Sequence, residues 1–504
     1  MQKSIAIVGA GIAGLSAAVY GRINGYATTV FEMQDRPGGL CTGWQRHGYQ
    51  IDACIHWLVG TKPGTGLRRV WEDLGALQGK TIFDHEELGR VESPDGRTVI
   101  FYTDVDRLEQ HLLELSPADK KPILELAGVI RKLTRYDLPV DKAPELRGIG
   151  DKLRGLPTLL RLFPIFSRYQ KTTLTEFASR FQDPFLRDVL GSFFELDNFP
   201  FLGFAFTFAW LNAKNAGYPV GGSLEFARSI ERRYRELGGE IRYRAKVTSI
   251  LVEQNRAVGV KLEDGTEHRS DWVISAADGH ATLFGMLGGQ YVDPALRATY
   301  ERLKPFDPLV HVAFGVARDL SREPANVIRR LRRPVTVGGR RRTQVGFRHF
   351  PYDPTLAPTG KSVVTTVLAT DYDYWKTLAD YPARYEAEKK AVADWVLGEL
   401  EQRFPGIGSA VEMVDVATPL TFERYTGNWR GSFEGWQLTP QNLTLRMKKT
   451  LPGLAGFFMV GQWVNPGGGL PPAGIDGKFV TQLICHADRQ SFRTVPTPDQ
   501  APPA

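Results

Sequence analysis

The feature that most restricts the fold is the run Ser4-Ile-Ala-Ile-Val8 followed by Gly9-Ala-Gly11-Ile-Ala-Gly14. An unbroken apolar stretch of this length reads as a strand buried on both faces of a parallel sheet, and the glycines after it form GxGxxG between strand and helix. Gly9 permits a tight turn, Gly11 lets backbone approach a pyrophosphate, and Gly14 lets the following helix, 15–24, sit close on the strand. The helix N-terminus then offers N–H donors to phosphate. Gly25 ends that helix, and Thr28-Thr-Val-Phe-Glu32 makes a second strand with an acid at its end, 23 positions after Gly9. A carboxylate there accepts from both ribose hydroxyls and disfavours a 2′-phosphate. Strand, glycines, helix, strand and acid together predict a dinucleotide site built from Gly9, Gly11, Ile12, Ala13, Gly14, Glu32 and Met33.

The next segment, Asp35-Arg36-Pro37-Gly38-Gly39-Leu40, separates the possible dinucleotides. A second glycine pair beyond the acidic strand end, with an arginine beside it, is a flavoprotein pattern. Arg36, Gly38, Gly39 and Leu40 would add a second clamp on the FAD pyrophosphate, whereas a plain Pro-Gly turn explains Gly38 and gives Arg36 no role. The pairs Gly221-Gly222, Gly288-Gly289 and Gly338-Gly339 lack the strand and helix context, so no separate nicotinamide domain is expected.

From these motifs, VGAGIAGLSAA, VFE and RPGGLCTGW, and from Gly48-Tyr-Gln-Ile-Asp52, the chain resembles the FAD-dependent phytoene desaturase, carotenoid isomerase and retinol saturase group, with a more distant likeness to amine oxidases. The resemblance implies an α/β fold: a Rossmann-like FAD-binding domain, its parallel sheet joined by a β-meander, plus an inserted α+β substrate domain. The strands around Ala245–Leu262 and Asp271–Asp278 are similar to the family's meander, which puts Val247 beside the adenine. An ordinary meander without a ligand accounts for the same pattern. Near the C-terminus, Gly461-Gln-Trp-Val-Asn465-Pro-Gly-Gly-Gly-Leu-Pro471 and Ala473-Gly-Ile-Asp-Gly477 resemble the flavin motif. Gly461, Gln462, Gly468, Gly469, Gly474 and Ile475 would then face the flavin, with a helix from about 475 to 487 directing its positive end at the pyrimidine. Asp476 departs from the pattern, which has a small neutral residue there.

On this reading the FAD domain is discontinuous (1–75, 215–290 and 441–493), the substrate domain comprises 76–214 and 291–440, and the Pro-rich 494–504 is a disordered tail. The aromatics of 193–210 suit either a long apolar tunnel or an ordinary core. The resemblance implies desaturation, saturation or cis–trans isomerisation of a lipophilic polyene such as a carotenoid or retinoid, with noncovalent FAD and a quinone, oxygen or another electron acceptor. Two alternatives stay open: an amine oxidase-like flavoprotein that uses oxygen, and a non-catalytic flavin-containing binding protein at a membrane. His56, Trp57 and Gln462 are the candidate catalytic side chains because they flank the two glycine motifs. A buried, hydrogen-bonded histidine is the competing account of His56.

With 504 residues, 42% of them hydrophobic, the chain has ample core for two domains. Three cysteines, Cys41, Cys54 and Cys485, make neither a disulfide framework nor a metal spacing, which favours a reducing, cytoplasmic setting and no metal site. The N-terminus lacks signal-peptide regions, and the most apolar stretch, 199–211, is too short to span a bilayer. Segment 156–166, flanked by Lys152, Arg154, Arg168 and Lys171, fits either a membrane-surface contact or a helix packed on its own domain. The net charge of +7 is concentrated in Arg329, Arg330, Arg332, Arg333, Arg340, Arg341, Arg342 and Arg348. That run reads as an anion-binding patch or as a solvated hairpin turning at Gly338-Gly339. No nucleic-acid-binding signature accompanies it, so no nucleic-acid partner is expected. The oligomeric state is left undecided by these patterns.

Overall fold

The computed structural model describes residues 2–495. Residues 496–504, most of the segment read as a disordered tail, lie outside that range.

The first strand, Ser4–Val8, is almost wholly buried and sits at the centre of a five-stranded parallel sheet. On one side it pairs with Ala27–Phe31, which pairs in turn with Glu240–Arg242. On the other it pairs with Trp272–Ser275 and then Phe457–Met459. Strands far apart in sequence therefore share one sheet, whose order reverses at the first strand. In doubly wound sheets that switch point opens a crevice at the carboxyl ends of the strands.

Two helices pack on this sheet back to back. Gly477, in the helix Leu470–Ala487, lies so close to Ile12–Ile23 that a Cβ there would fall 2.3 Å from the Ala17 nitrogen. Just past the later helix, Asp488 takes Lys3, the Tyr26 hydroxyl (2.9 Å) and the Trp272 indole (3.1 Å), fastening it to the amino ends of the three central strands.

A three-stranded antiparallel meander follows (Val247–Glu253, Arg256–Leu262, Glu267–Arg269). A seven-stranded sheet forms the second layer. Five of its strands fall between Leu309 and Ala417, and the hairpin Glu87–Glu92/Thr98–Tyr102 completes it by a parallel pairing with Asn326–Val337. Helices cover 105–212 apart from short connections.

The arginine-rich segment is the hairpin Asn326–Val337/Arg340–His349, turning through Gly338 and Gly339 at positive φ. Four of its arginines are engaged within the fold. Arg329 pairs with Glu399 (3.2 Å), Arg330 with Asp188, Arg340 with Asp307 (2.7 Å), and buried Arg342 donates to the Ala369 carbonyl. Much of the apparent basic patch is internal structure.

Among the described residues no helix is long and apolar enough to cross a membrane.

Candidate active site

Val8, Phe31, Ser275 and Met459 end four neighbouring parallel strands, and the residues just beyond them open into one cavity of about 1000 Å³. The glycine turns shape its floor. Gly9, at φ +95°, donates to the Phe31 carbonyl (2.8 Å), so the chain turns within one residue and presents Gly11 to the cavity. A Cβ on Gly11 would find no protein atom nearer than the Gly38 carbonyl at 4.0 Å. Gly38 donates to the Ala10 carbonyl (2.9 Å), and a Cβ on Gly39 would lie 3.4 Å from the Gly11 Cα. The two glycine motifs thus meet backbone to backbone, leaving a cradle that only the absence of side chains keeps open.

Gly14 works differently. Its Cβ would stand 2.0 Å from the Gly9 carbonyl, so it serves the helix-on-strand contact and lies outside the cavity lining. Glu32 accepts the Ala10 N–H (2.7 Å) and the Gln34 N–H (2.9 Å), and burial lifts its carboxyl above the ordinary range. Arg36 pairs with Asp35 (2.8 Å) at the half-exposed surface, and Gly474 packs on the Trp71 ring. Neither lines the cavity. Ile12, Ala13, Met33, Leu40, Val247, Gly461, Gln462, Gly468, Gly469 and Ile475 all do, with the residues already placed there.

The C-terminal loop runs Gly461 to Gly469 through four glycines at positive φ. The helix after it starts at Leu470, five residues earlier than the pattern suggested, with Pro471 and Pro472 inside its first turn. Proline is tolerated there because a first-turn N–H has no intrahelical partner. The consequence is a helix mouth poorer in donors than expected. Gly467 and Gly468 spend their N–H groups on the Trp436 and Asn465 carbonyls, leaving those of Gly469 and Leu470 at the opening.

Asp476 is not an uncompensated charge. It accepts the Gly461 N–H (3.0 Å) and the Asn465 amide, and the buried Lys449 ammonium lies 3.4 Å away. Burial raises its carboxyl while Lys449 opposes the rise. An ion pair under the loop thereby fixes the first glycine of the motif.

The stretch 193–210 resolves into both of its readings. In the helix Phe201–Asn212, Gly203, Phe206, Thr207 and Trp210 fall at i, i+3, i+4 and i+7 and face the cavity, while Phe201, Phe204 and Phe208 face the core.

His56 and Trp57 line the cavity. Burial and nearby Arg348 hold His56 well below its usual range, so it stays neutral. Gln462 donates to Asn428 Oδ1 at 3.3 Å. Cys41 and Cys54 are also on the wall, but burial keeps the Cys41 thiol protonated.

One wall residue escaped sequence reasoning. Glu434 sits against the glycine loop, its carbonyl 2.2 Å and its Oε1 3.6 Å from where Cβ atoms would stand on Gly468 and Gly469. No periodicity marks it, because the 32 residues between it and Gly467 are bridged only by the tertiary fold.

A parallel sheet with a switch point, paired glycine loops and an acid just past the second strand define a dinucleotide-dependent enzyme fold. The family model for flavin-containing amine oxidoreductases matches residues 12–485, and the chain belongs to that family. It is an FAD-dependent oxidoreductase, and the Gly11 cradle has the openness that a pyrophosphate requires.

Among curated relatives, the lycopene-forming phytoene desaturase of Pseudescherichia vulneris is 26% identical over 96% of this chain and 99% of its own length. The chloroplastic prolycopene isomerase of Daucus carota is 25% identical over 95% of this chain and 79% of its own. Among solved structures, an oxidoreductase from Methanosarcina mazei superposes with TM-score 0.61 at 18% identity, covering 94% of this chain and 98% of that one. Wild-type putrescine oxidase bound to putrescine gives 0.60 at 14% identity, covering 96% and 99%. These two show the shared fold.

Proposed function

We propose that this enzyme desaturates, saturates or isomerises carbon–carbon bonds of a lipophilic polyene such as a carotenoid or retinoid. The observation that carries the reading is the continuation of the cavity beyond the glycine loops, between Phe194, Phe199, Phe206, Trp210, Phe306 and Phe433. An apolar, aromatic wall of this kind suits a long conjugated hydrocarbon. The names of the curated relatives agree with it.

On this reading Gly11, Gly38 and Gly39 admit the FAD pyrophosphate, Glu32 takes the ribose, Val247 borders the adenine, and the Gly461–Gly469 loop receives the flavin. The cofactor, when bound noncovalently, supplies two-electron hydride chemistry. The aromatic walls orient the chain of double bonds and keep water out. An amine oxidase reading finds less support in a wall so largely aromatic and apolar beyond the glycine loops.

The test is an anaerobic absorption spectrum of the holoprotein before and after phytoene, lycopene isomers or retinol. Flavin bleaching supports desaturation, and a polyene shift without net bleaching supports isomerisation. Intact flavin bands with no polyene response, together with peroxide release on amines, would reject the reading.

Access for such a substrate is supported by the helix Ile149–Tyr169. Its outer face exposes Ile149 (78%), Leu153 (63%), Leu159 (61%), Leu160 (64%) and Phe163 (62%), with Lys152, Arg154, Arg161 and Arg168 interspersed. Its inner face sets Phe166 against Phe206 of the cavity wall, ring centroids 6.2 Å apart. Basic charge around an apolar face fits an anionic bilayer surface. L159D/L160D/F163D is expected to cut co-sedimentation with phosphatidylglycerol vesicles roughly tenfold or more while FAD content is unchanged. Undiminished sedimentation would remove the membrane contact.

A further inference from the structure

Several acids face the cavity, and almost all are partnered. Glu32 takes two backbone N–H groups. Asp278 takes those of Ala281 and Trp429 at 2.7 and 2.9 Å. Asp307 is held between Arg340 (2.7 Å) and Lys304 (3.0 Å). Glu195 has Arg342 and Gln344 beside it.

Glu434 is the most isolated: among the described residues its carboxyl makes no hydrogen bond and no ion pair, and no neighbouring group offsets its burial as Arg342 and Gln344 do for Glu195. The charged groups of the neighbouring element, Lys304, Asp307 and Arg340, are satisfied among themselves. The flavin loop brings Gln462 and Trp463, both uncharged.

Its backbone, by contrast, is fixed on two sides. Trp436 accepts the Gly467 N–H (2.9 Å) and donates its indole to the Trp463 carbonyl (3.0 Å), while Gly435 accepts the Phe306 N–H (2.8 Å). The carboxyl is half-buried on the cavity wall beside the glycine loop, near Phe306, Phe433 and Leu438, and makes no internal contact that would give it a structural role.

We propose that the Glu434 carboxyl is the acid–base residue of this site, exchanging a proton with a substrate carbon next to the flavin loop. The assignment rests on the carbon–carbon reading above. In the desaturating direction, one substrate carbon gives up a proton to the Glu434 carboxylate. The neighbouring carbon gives up a hydride, with both electrons, to the bound flavin, and a double bond forms between the two. An oxygen or quinone acceptor then removes the two electrons. Burial alone pushes Glu434 up to about 7, so both forms are available near neutrality, which is the condition for efficient proton transfer. Desaturation needs the ionised form, so its rate should rise as pH passes upward through about 7.

The first experiment needs no substrate: a pH titration of the flavin absorption spectrum of the wild-type, E434Q and E434D holoproteins. A one-proton transition near neutrality is expected in the wild type, displaced in E434D and lost in E434Q. A wild type without the transition, or an E434Q that keeps it, overturns the assignment. If neither variant retains FAD, a wild type without the transition still overturns the assignment, and Asp278, raised by burial to about 6 on the same wall, is separated from Glu434 by the same titration of D278N. In polyene turnover, E434Q should fall about 10²–10⁴-fold in kcat with KM little changed. Full activity in E434Q would remove the assignment alone. A wild type that turns over no polyene, with its titration intact, would remove the carbon–carbon reading and the assignment with it.

Discussion

Gly11→Ala should weaken FAD binding severely while leaving the apoprotein folded. At φ −66° the position is comfortable for alanine, and the added methyl would meet no protein atom within 3.9 Å, so the fold loses nothing. The methyl would instead occupy the space through which a pyrophosphate approaches the helix N-terminus. A loss of affinity of about 100-fold or more is expected, equivalent to roughly 2.7 kcal/mol. Titrating apoprotein with FAD and following flavin fluorescence measures it, alongside thermal melting of the apo form. Gly14→Ala is the contrasting control. Its Cβ at 2.0 Å from the Gly9 carbonyl would separate helix from strand and lower apoprotein stability itself. If G11A binds FAD as the wild type does, the cradle has been misassigned.

The second large effect concerns the ion pair beneath the C-terminal glycine loop. Lys449→Met would leave Asp476 buried without its cation, at a cost of about 3–5 kcal/mol to folding. K449M/D476N should recover most of that loss, because the amide carbonyl can still accept from Gly461 and nothing charged remains below the loop. Chemical denaturation of the four members of the cycle gives the coupling. Additive single effects would mean that the two residues act independently.

The nucleotide fold was legible because its signals are local. An apolar strand, a glycine turn, a helix and an acid lie within 32 residues, and each restricts backbone or ligand geometry directly. The helix after the C-terminal glycines was placed five residues too late: its first turn holds Pro471 and Pro472, where a missing N–H costs nothing. The cavity-facing side of Phe201–Asn212 could not be phased, because apolar residues cover the helix all round and no polar face sets its rotation.

Two further features depend on long-range proximity. Asp476 looked like an anomaly until the fold brought Lys449 to it, and Glu434 carried no motif at all. The arginine run misled in the opposite sense: charge crowded in sequence was dispersed in space by alternating strand faces and paired with acids from distant helices.

The order of strands in the central sheet also bears on biosynthesis. Ser4–Val8 leaves the ribosome well before its layer is completed by Phe457–Met459 and Leu470–Ala487, which are translated about 450 residues later. At about 5–20 residues per second the nascent first strand waits on the order of half a minute or more, with its apolar faces only partly covered. Cofactor capture is therefore a late event in the life of each molecule, and the newborn chain passes through a long interval in which chaperone binding competes with aggregation.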